Sequence, residues 1–236
     1  GGLASLRPAE LGTIVMKAAI ERAGISADKI QNVVVGTVVS TQPKDAYVSR
    51  VAAVNAGVPI SAPAMNVNRL CGSGLQAIVS ASQSILLGDC DIAIGGGAEN
   101  MSRAPYASLG SRWGVRMGDT KMVDMMIGAL HDPFHTIHMG VTAENVAAKY
   151  GITREMQDAL ALESHNRAER ATAAGYFKDQ IMPVMLKSKK GDVAYTTDEH
   201  FRPGCKLEDM AKLKPVFVKE NGTVTAGNAS GINDAA

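Results

Sequence analysis

The chain has 236 residues, with 24 Lys+Arg against 23 Asp+Glu and a formal charge of +1. That balance supplies no broad positive face for a phosphate backbone or an anionic bilayer, so nucleic-acid binding and polybasic membrane binding are set aside. Hydrophobic residues at 46% and charged residues at 20% fit a folded globular chain rather than a disordered one, and no apolar run reaches the ~18–20 residues of a membrane helix. The length allows one large domain or two small ones. Cys71, Cys90 and Cys205 form no C-x-x-C pair. That argues against a disulfide scaffold and for a reducing compartment, hence a cytoplasmic location. Gly1-Gly2-Leu3 and Ala235-Ala236 read as the ends of a piece cut from a longer chain.

Residues 8–23 are predicted as a helix, with Pro8 at its first position, Gly24 just past its end and Leu11, Ile14, Val15 and Ala18 along one stripe. A β-branched run predicts a strand at 33–39, and an Ala-rich apolar run a helix at 48–56, closed by Gly57. Residues 65–70 read as another strand, running into Cys71-Gly72-Ser73-Gly74. A helical pattern follows through Leu75, Ile78, Val79, Ser82, Ile85 and Leu86 to Gly88, then a strand at 92–94 ending in Gly95-Gly96-Gly97. Strands alternating with helices imply βαβ units and a mostly parallel sheet covered on both faces. The helix after Cys71 carries little charge and is expected to be buried nearly all round.

From Asn100 to Met139 the chain is rich in Met, Gly, Arg and His and has weak periodicity. Helical signal returns at 143–149, and Thr153 caps a long polar helix to about Ala174, with Gly175 beyond it. Residues 180–190 read as a strand and a basic turn, 193–196 as its partner, and 222–231 as small and β-compatible.

Cys71 stands where an apolar strand meets a helix. Unpaired N–H groups and the helix dipole there favour a thiolate, and the flanking glycines admit a substrate. On position alone it is either a covalent nucleophile or a small residue filling a tight turn. Gly72-x-Gly74-x-x-Ala77 also matches a loose dinucleotide fingerprint, but the acidic residue this requires comes late, at Glu99. An esterase elbow fails because Cys71 occupies its first glycine. His131, His135 and His138 are close in sequence, yet Pro133 breaks any helix that would align them and no carboxylate follows at a useful spacing, so no metal site is expected. Cys90 and Cys205 read as packing and loop residues.

Asn68-Arg69-Leu70-Cys71-Gly72-Ser73-Gly74 resembles the nucleophile motif of the thiolases. Gly95-Gly96-Gly97-Ala98-Glu99-Asn100-Met101-Ser102 resembles their second motif, and His138-Met139-Gly140-Val141-Thr142-Ala143-Glu144-Asn145 a third. Asn221-Gly222-Thr223-Val224-Thr225-Ala226-Gly227-Asn228-Ala229-Ser230-Gly231-Ile232-Asn233-Asp234 resembles a fourth. The His138-Met139 pair resembles the biosynthetic acetoacetyl-CoA enzymes and the related β-ketothiolases.

The resemblance implies an α/β protein with the layered α-β-α-β-α thiolase fold. Its first half would be present here, with an inserted loop domain that covers coenzyme A. The implied division is residues 1–102 for the N-terminal α/β domain (its first strand missing), 103–230 for the loop domain, and 231–236 for the return. By resemblance Cys71 becomes the acyl-enzyme. Leu130, His138, Met139, Arg202, Phe217, Ala226 and Ser230 line the coenzyme A and pantetheine channel, with Arg202 stacking on adenine. Asp209 stands where relatives often carry Ser and is left out of the site. The substrates implied are acetyl-CoA and acyl-CoA or 3-oxoacyl-CoA, with no resident cofactor, no metal, no nucleic acid and no membrane. The Met-rich stretch before His131 would suit the inter-dimer loop of a homotetramer.

A thiolase also needs a Gly-His-Pro histidine, a Cys-x-Gly cysteine and an Asn-Glu-Ala-Phe asparagine, and none of these motifs occurs in the 236 residues. The chain alone is therefore expected to be inactive. The alternative implied by the same absence is a non-catalytic thiolase-like protein that binds coenzyme A or a partner.

Overall fold

The computed structural model describes residues 1–189 and 191–236. Lys190, the last residue of the predicted basic turn, lies outside the described residues. The chain folds as two compact units: Gly1–Met126 with Met182–Tyr195 and Asn233–Ala236, and Ile127–Ile181 with Thr196–Ile232.

The first unit is built on a parallel sheet. Helix α1, Pro8–Arg22, starts with Pro8 at its first position, and the Glu10 carboxylate accepts from the Arg7 backbone N–H at 2.7 Å. It ends before Gly24, whose φ of 65° is the left-handed geometry that glycine adopts without strain. Strand β1, Asn32–Gly36, leads through helix α2, Val48–Asn55, to β2, Ala64–Val67. Helix α3, Ser73–Leu86, leads on to β3, Ala93–Gly97. The sheet order is β2-β1-β3, with Val34 opposite both Met65 and Gly95.

Alternation along β1 makes the two faces. Val33 and Val35 pack with Met16, Ile20, Val48 and Ala52 on the α1–α2 side, whereas Val34 packs with Ala77 and Ala81 of α3. Gly95, Gly96 and Gly97 are themselves residues of β3, which therefore runs past the 92–94 expected. A Cβ added to Gly95 would stand 2.7 Å from the Ile78 Cα and 2.8 Å from the Ala77 carbonyl oxygen, so the absent side chain lets α3 lie against the sheet backbone.

The expectation that α3 is buried nearly all round is not met. Leu75 is 70% exposed and Leu86 84%. One sheet covers one side of α3, and among the described residues no second layer covers the other.

Short pairings complete this unit. Strand β4, Glu99–Asn100, β5, Tyr106–Ala107, β6, Val123–Asp124, and the hairpin of β7, Val184–Leu186, with β8, Val193–Tyr195, are joined by β9, Asp234–Ala235. The pairs β4–β9, β5–β6 and β7–β8 are antiparallel. Asp234 accepts from the Ser102 N–H at 2.9 Å and from its hydroxyl at 2.7 Å. Residues 103–126 and the β7–β8 hairpin group with the sheet unit. The Met125 N–H donates to the Pro105 carbonyl and the Arg22 guanidinium reaches the Met182 sulfur, which accounts for that grouping.

The second unit is helical. Helix α4, Met125–Ala129, runs into it from the first. Helix α5, Met139–Tyr150, starts four residues earlier than the periodicity implies, because His138 caps it. Helix α6, Arg154–Ala173, opens with Thr153 Oγ1 accepting from the Met156 N–H, and α7, Leu207–Ala211, is a single short turn. Residues 222–231 form no strand. Several of their backbone groups are bound by side chains instead.

Candidate active site

In the first unit the strand-to-helix corner is a braced elbow. Beyond Val67 the chain turns through Leu70, a non-glycine residue at φ 47°, a conformation that costs of order 1–2 kcal/mol unless its surroundings enforce it. They do. The Leu70 N–H donates to Asn68 Oδ1 at 2.9 Å, and the Ser73 hydroxyl donates to the Leu70 carbonyl at 2.6 Å while accepting from the Arg69 N–H at 2.9 Å. The Val38 and Val39 N–H groups donate to the Glu99 carboxylate at 2.7 and 3.1 Å, fixing the loop after β1 beside the elbow.

Cys71 follows Leu70 directly, and its thiol is free and exposed. Gly72 caps α3, so the sulfur stands at the positive end of a 14-residue helix. An exposed thiol at this corner is open to a substrate. Cys90 is buried and Cys205 half-buried in a loop. Glu99, the acidic residue of the dinucleotide alternative, is already committed to two backbone amides. Burial pushes its carboxyl up from the ordinary value, and those amides counter it.

In the second unit a ring cluster forms. The His138 imidazole stacks on Phe217 with centroids 4.6 Å apart, and His131 meets His138 edge-on at 5.2 Å. The rings' protonation follows from their partners. Gly140 N–H donates to His138 Nδ1 at 3.0 Å, so that nitrogen is bare and the neutral ring carries its proton on Nε2. His131 Nδ1 lies 2.7 Å from the Ile127 carbonyl, which only accepts, so His131 is protonated there. The Phe217 ring lies over the Cα of Gly140, where no side chain would fit. The Met139 N–H donates to the Leu130 carbonyl at 2.8 Å, and the Met139 side chain is 42% exposed.

Leu130, His138, Met139 and Phe217 are thus brought together. Arg202 is exposed on the loop before α7, its N–H donating to His165 Nδ1 at 3.3 Å. Ala226 and Ser230 are exposed in the 222–231 turn. Asp209 pairs with Lys212 at 3.2 Å on the surface. Among the described residues no three His, Cys, Asp or Glu side chains converge as metal ligands, and no helix is long and apolar enough to cross a membrane.

Burial, and then the neighbouring His131, hold the His138 imidazole below the ordinary histidine value. A pKa lowered by folding means that the neutral ring's contribution is complete above about pH 6.5 and is lost as pH falls through the lower folded value. Protonation also removes the helix cap, worth about 1 kcal/mol. The melting temperature is therefore expected to fall between about pH 7.5 and about pH 5.5. His138→Asn, which caps without titrating, flattens that slope. An unchanged slope in the variant contradicts the assignment.

The residues around these positions that sequence reasoning passed over are Asn68, Ser73, Glu99 and His131. All but His131 lie inside the quoted motifs, which was the available signal.

The family model "Thiolase, N-terminal domain" matches residues 1–236. The chain is 66% identical over 236 residues to the beta-ketothiolase BktB of Cupriavidus necator, covering 100% of this chain and 60% of that protein. It is 50% identical to an acetyl-CoA acetyltransferase of the same organism, again over 60% of the relative's length. Among solved structures, a Bacillus anthracis acetyl-CoA acetyltransferase superposes with a TM-score of 0.95 at 42% identity, covering 99% of this chain and 59% of that one. A human mitochondrial 3-ketoacyl-CoA thiolase in complex with CoA superposes with a TM-score of 0.94 at 39% identity, covering 99% and 58%. The fold is therefore the α/β thiolase fold, and the chain spans about three-fifths of the length of these relatives.

Proposed function

This chain belongs to the thiolase family, and on that premise we propose that it is the N-terminal part of an acyl-CoA:acetyl-CoA C-acyltransferase working through an acyl-enzyme on Cys71. The observation that carries the reading is the exposed thiol on a braced elbow at the start of α3. The thiolate attacks the thioester carbonyl of an acyl-CoA. The new C–S bond forms, the old one breaks, and coenzyme A leaves as its thiolate, which takes up the proton that the Cys71 thiol gave up. In the second half-reaction the α-carbon of acetyl-CoA loses a proton and attacks the acyl-enzyme carbonyl, the C–S bond to Cys71 breaks, a 3-oxoacyl-CoA forms, and the released sulfur takes up a proton. Thiolysis is the reverse, with free coenzyme A attacking. Dividing the reaction in two gives ping-pong kinetics.

Leu130, His138, Met139, Phe217, Arg202, Ala226 and Ser230 take the coenzyme A side. The cluster of His138, Met139 and Phe217 supports this with an apolar, partly exposed surface carrying one Nε2 donor. The thioesters are substrates, and no resident cofactor or metal is required. A cytoplasmic homotetramer completes the proposal, supported by exposed apolar residues such as Trp113 and Met117 before His131.

The groups that deprotonate the sulfur and the α-carbon are absent from these 236 residues. The isolated chain is therefore expected to show no acetoacetyl-CoA thiolysis, whereas the complete protein turns over. Robust thiolysis by residues 1–236 alone contradicts the assignment of those groups, and an inactive complete protein contradicts the proposed function.

A further inference from the structure

The 223–228 turn has almost no backbone ladder; four of its backbone N–H groups, those of Thr223, Val224, Thr225 and Gly227, and the Thr223 carbonyl are bound by side chains. The Glu144 carboxylate, on α5, accepts from the Thr223 N–H and the Val224 N–H at 2.9 Å each and from the Thr223 hydroxyl at 2.6 Å. Asn228 Oδ1 accepts from the Thr225 N–H at 2.8 Å, and its Nδ2 donates to the Thr223 carbonyl and to Asp158 Oδ1, both at 2.9 Å. The Gly227 N–H donates to Thr225 Oγ1, and Gln157 Nε2 donates to Thr223 Oγ1. Asp158, on α6, is 3% exposed and is itself held by Arg154 at 2.7 Å, whose guanidinium also donates to the Met210 and Leu213 carbonyls.

Glu144 has no cationic partner among the described residues; its charge is given wholly to backbone and hydroxyl donors. Hydrogen bonds to a charged acceptor are the strong kind, and a loop fixed by them presents its outer residues in one arrangement. Its outer residue is Ala226, exposed at the apex, with Ser230 exposed two residues past the turn, while Thr225 faces inward and is fully buried.

We infer that Glu144 is a positioning residue for coenzyme A, holding the 223–228 turn in the one shape in which Ala226 meets the pantetheine arm. This rests on the thiolase reading above. Glu144 touches no substrate. It acts through the turn, and the same α5 that carries it is capped by His138, so one helix fixes both the ring cluster and the turn.

The test uses the complete protein with Glu144→Gln, which keeps the shape but turns one acceptor into a donor facing N–H groups, and with Glu144→Ala as the stronger change. Amide exchange at Thr223 and Val224 is expected to speed up about tenfold or more in Glu144→Gln. The KM for coenzyme A in thiolysis is expected to rise about tenfold while kcat stays within about twofold. Titration of coenzyme A by calorimetry should show the same loss of affinity. Unchanged exchange overturns the clamp. Faster exchange with unchanged affinity overturns the link to coenzyme A. A fall in kcat without a change in KM overturns the positioning role. A wild-type protein with no affinity for coenzyme A overturns the thiolase reading and this inference together, whereas wild-type affinity retained in Glu144→Gln overturns the inference alone.

Discussion

Cys71→Ser in the complete protein is expected to lower thiolysis at least about 10³-fold while leaving the melting temperature close to that of the wild type. The two halves of this expectation come from different observations. The thiol is exposed and free, so exchanging sulfur for oxygen removes little packing. A serine hydroxyl at the same corner is far less acidic and far less nucleophilic than a thiolate, and neither the helix end nor the braced turn supplies enough to compensate. A loss below about tenfold would mean that the reaction runs without this sulfur. A large loss of stability would mean that Cys71 is a packing residue after all.

Gly95→Ala is expected to do the opposite, removing stability at a position that has no chemistry. The added Cβ would meet the backbone of α3 at Ile78 Cα, 2.7 Å away, and no flexible side chain stands between to give way. The helix has to lift from the sheet, opening the contacts of Val34 with Ala77 and Ala81. Overpacking of this kind costs about 1–3 kcal/mol or more, a fall of about 2–10 °C in melting temperature for a chain of this size. Gly36→Ala acts in the same direction beside the elbow, since its Cβ would stand 2.5 Å from the Ser73 carbonyl carbon. Because Ser73 braces Leu70, Gly36→Ala should also slow acylation. A Gly95→Ala protein that melts with the wild type would show that α3 does not lie against β3 as described.

Much of the scaffold was legible because its punctuation is local. Pro8 and Gly24, Thr153 and Gly175 mark helix ends through their own backbone preferences, and the run Val33-Val34-Val35 marks a strand buried on both faces. Cys71 was legible as the residue between a strand and a helix.

The strand expected at 92–94 extends through Gly95, Gly96 and Gly97. Here their missing side chains are what lets a helix approach, and that depends on a partner distant in sequence. Residues 222–231 look β-compatible by composition, yet their amides bind Glu144 and Asn228, and no local pattern records that competition. The start of α5 was misplaced because histidine is an uncommon cap, and its Nδ1 serves only when that nitrogen is bare. The α3 helix is apolar enough to predict burial all round, but hydrophobicity states what a surface prefers and not what covers it.

The most direct test of the central claim is peptide mass spectrometry of the complete protein after incubation with acetyl-CoA and acid quenching. The account predicts one acetyl group, carried on the peptide containing Cys71 and released when coenzyme A is added. An acetyl group found on another residue, or a Cys71 peptide that stays unmodified while the enzyme turns over, contradicts it.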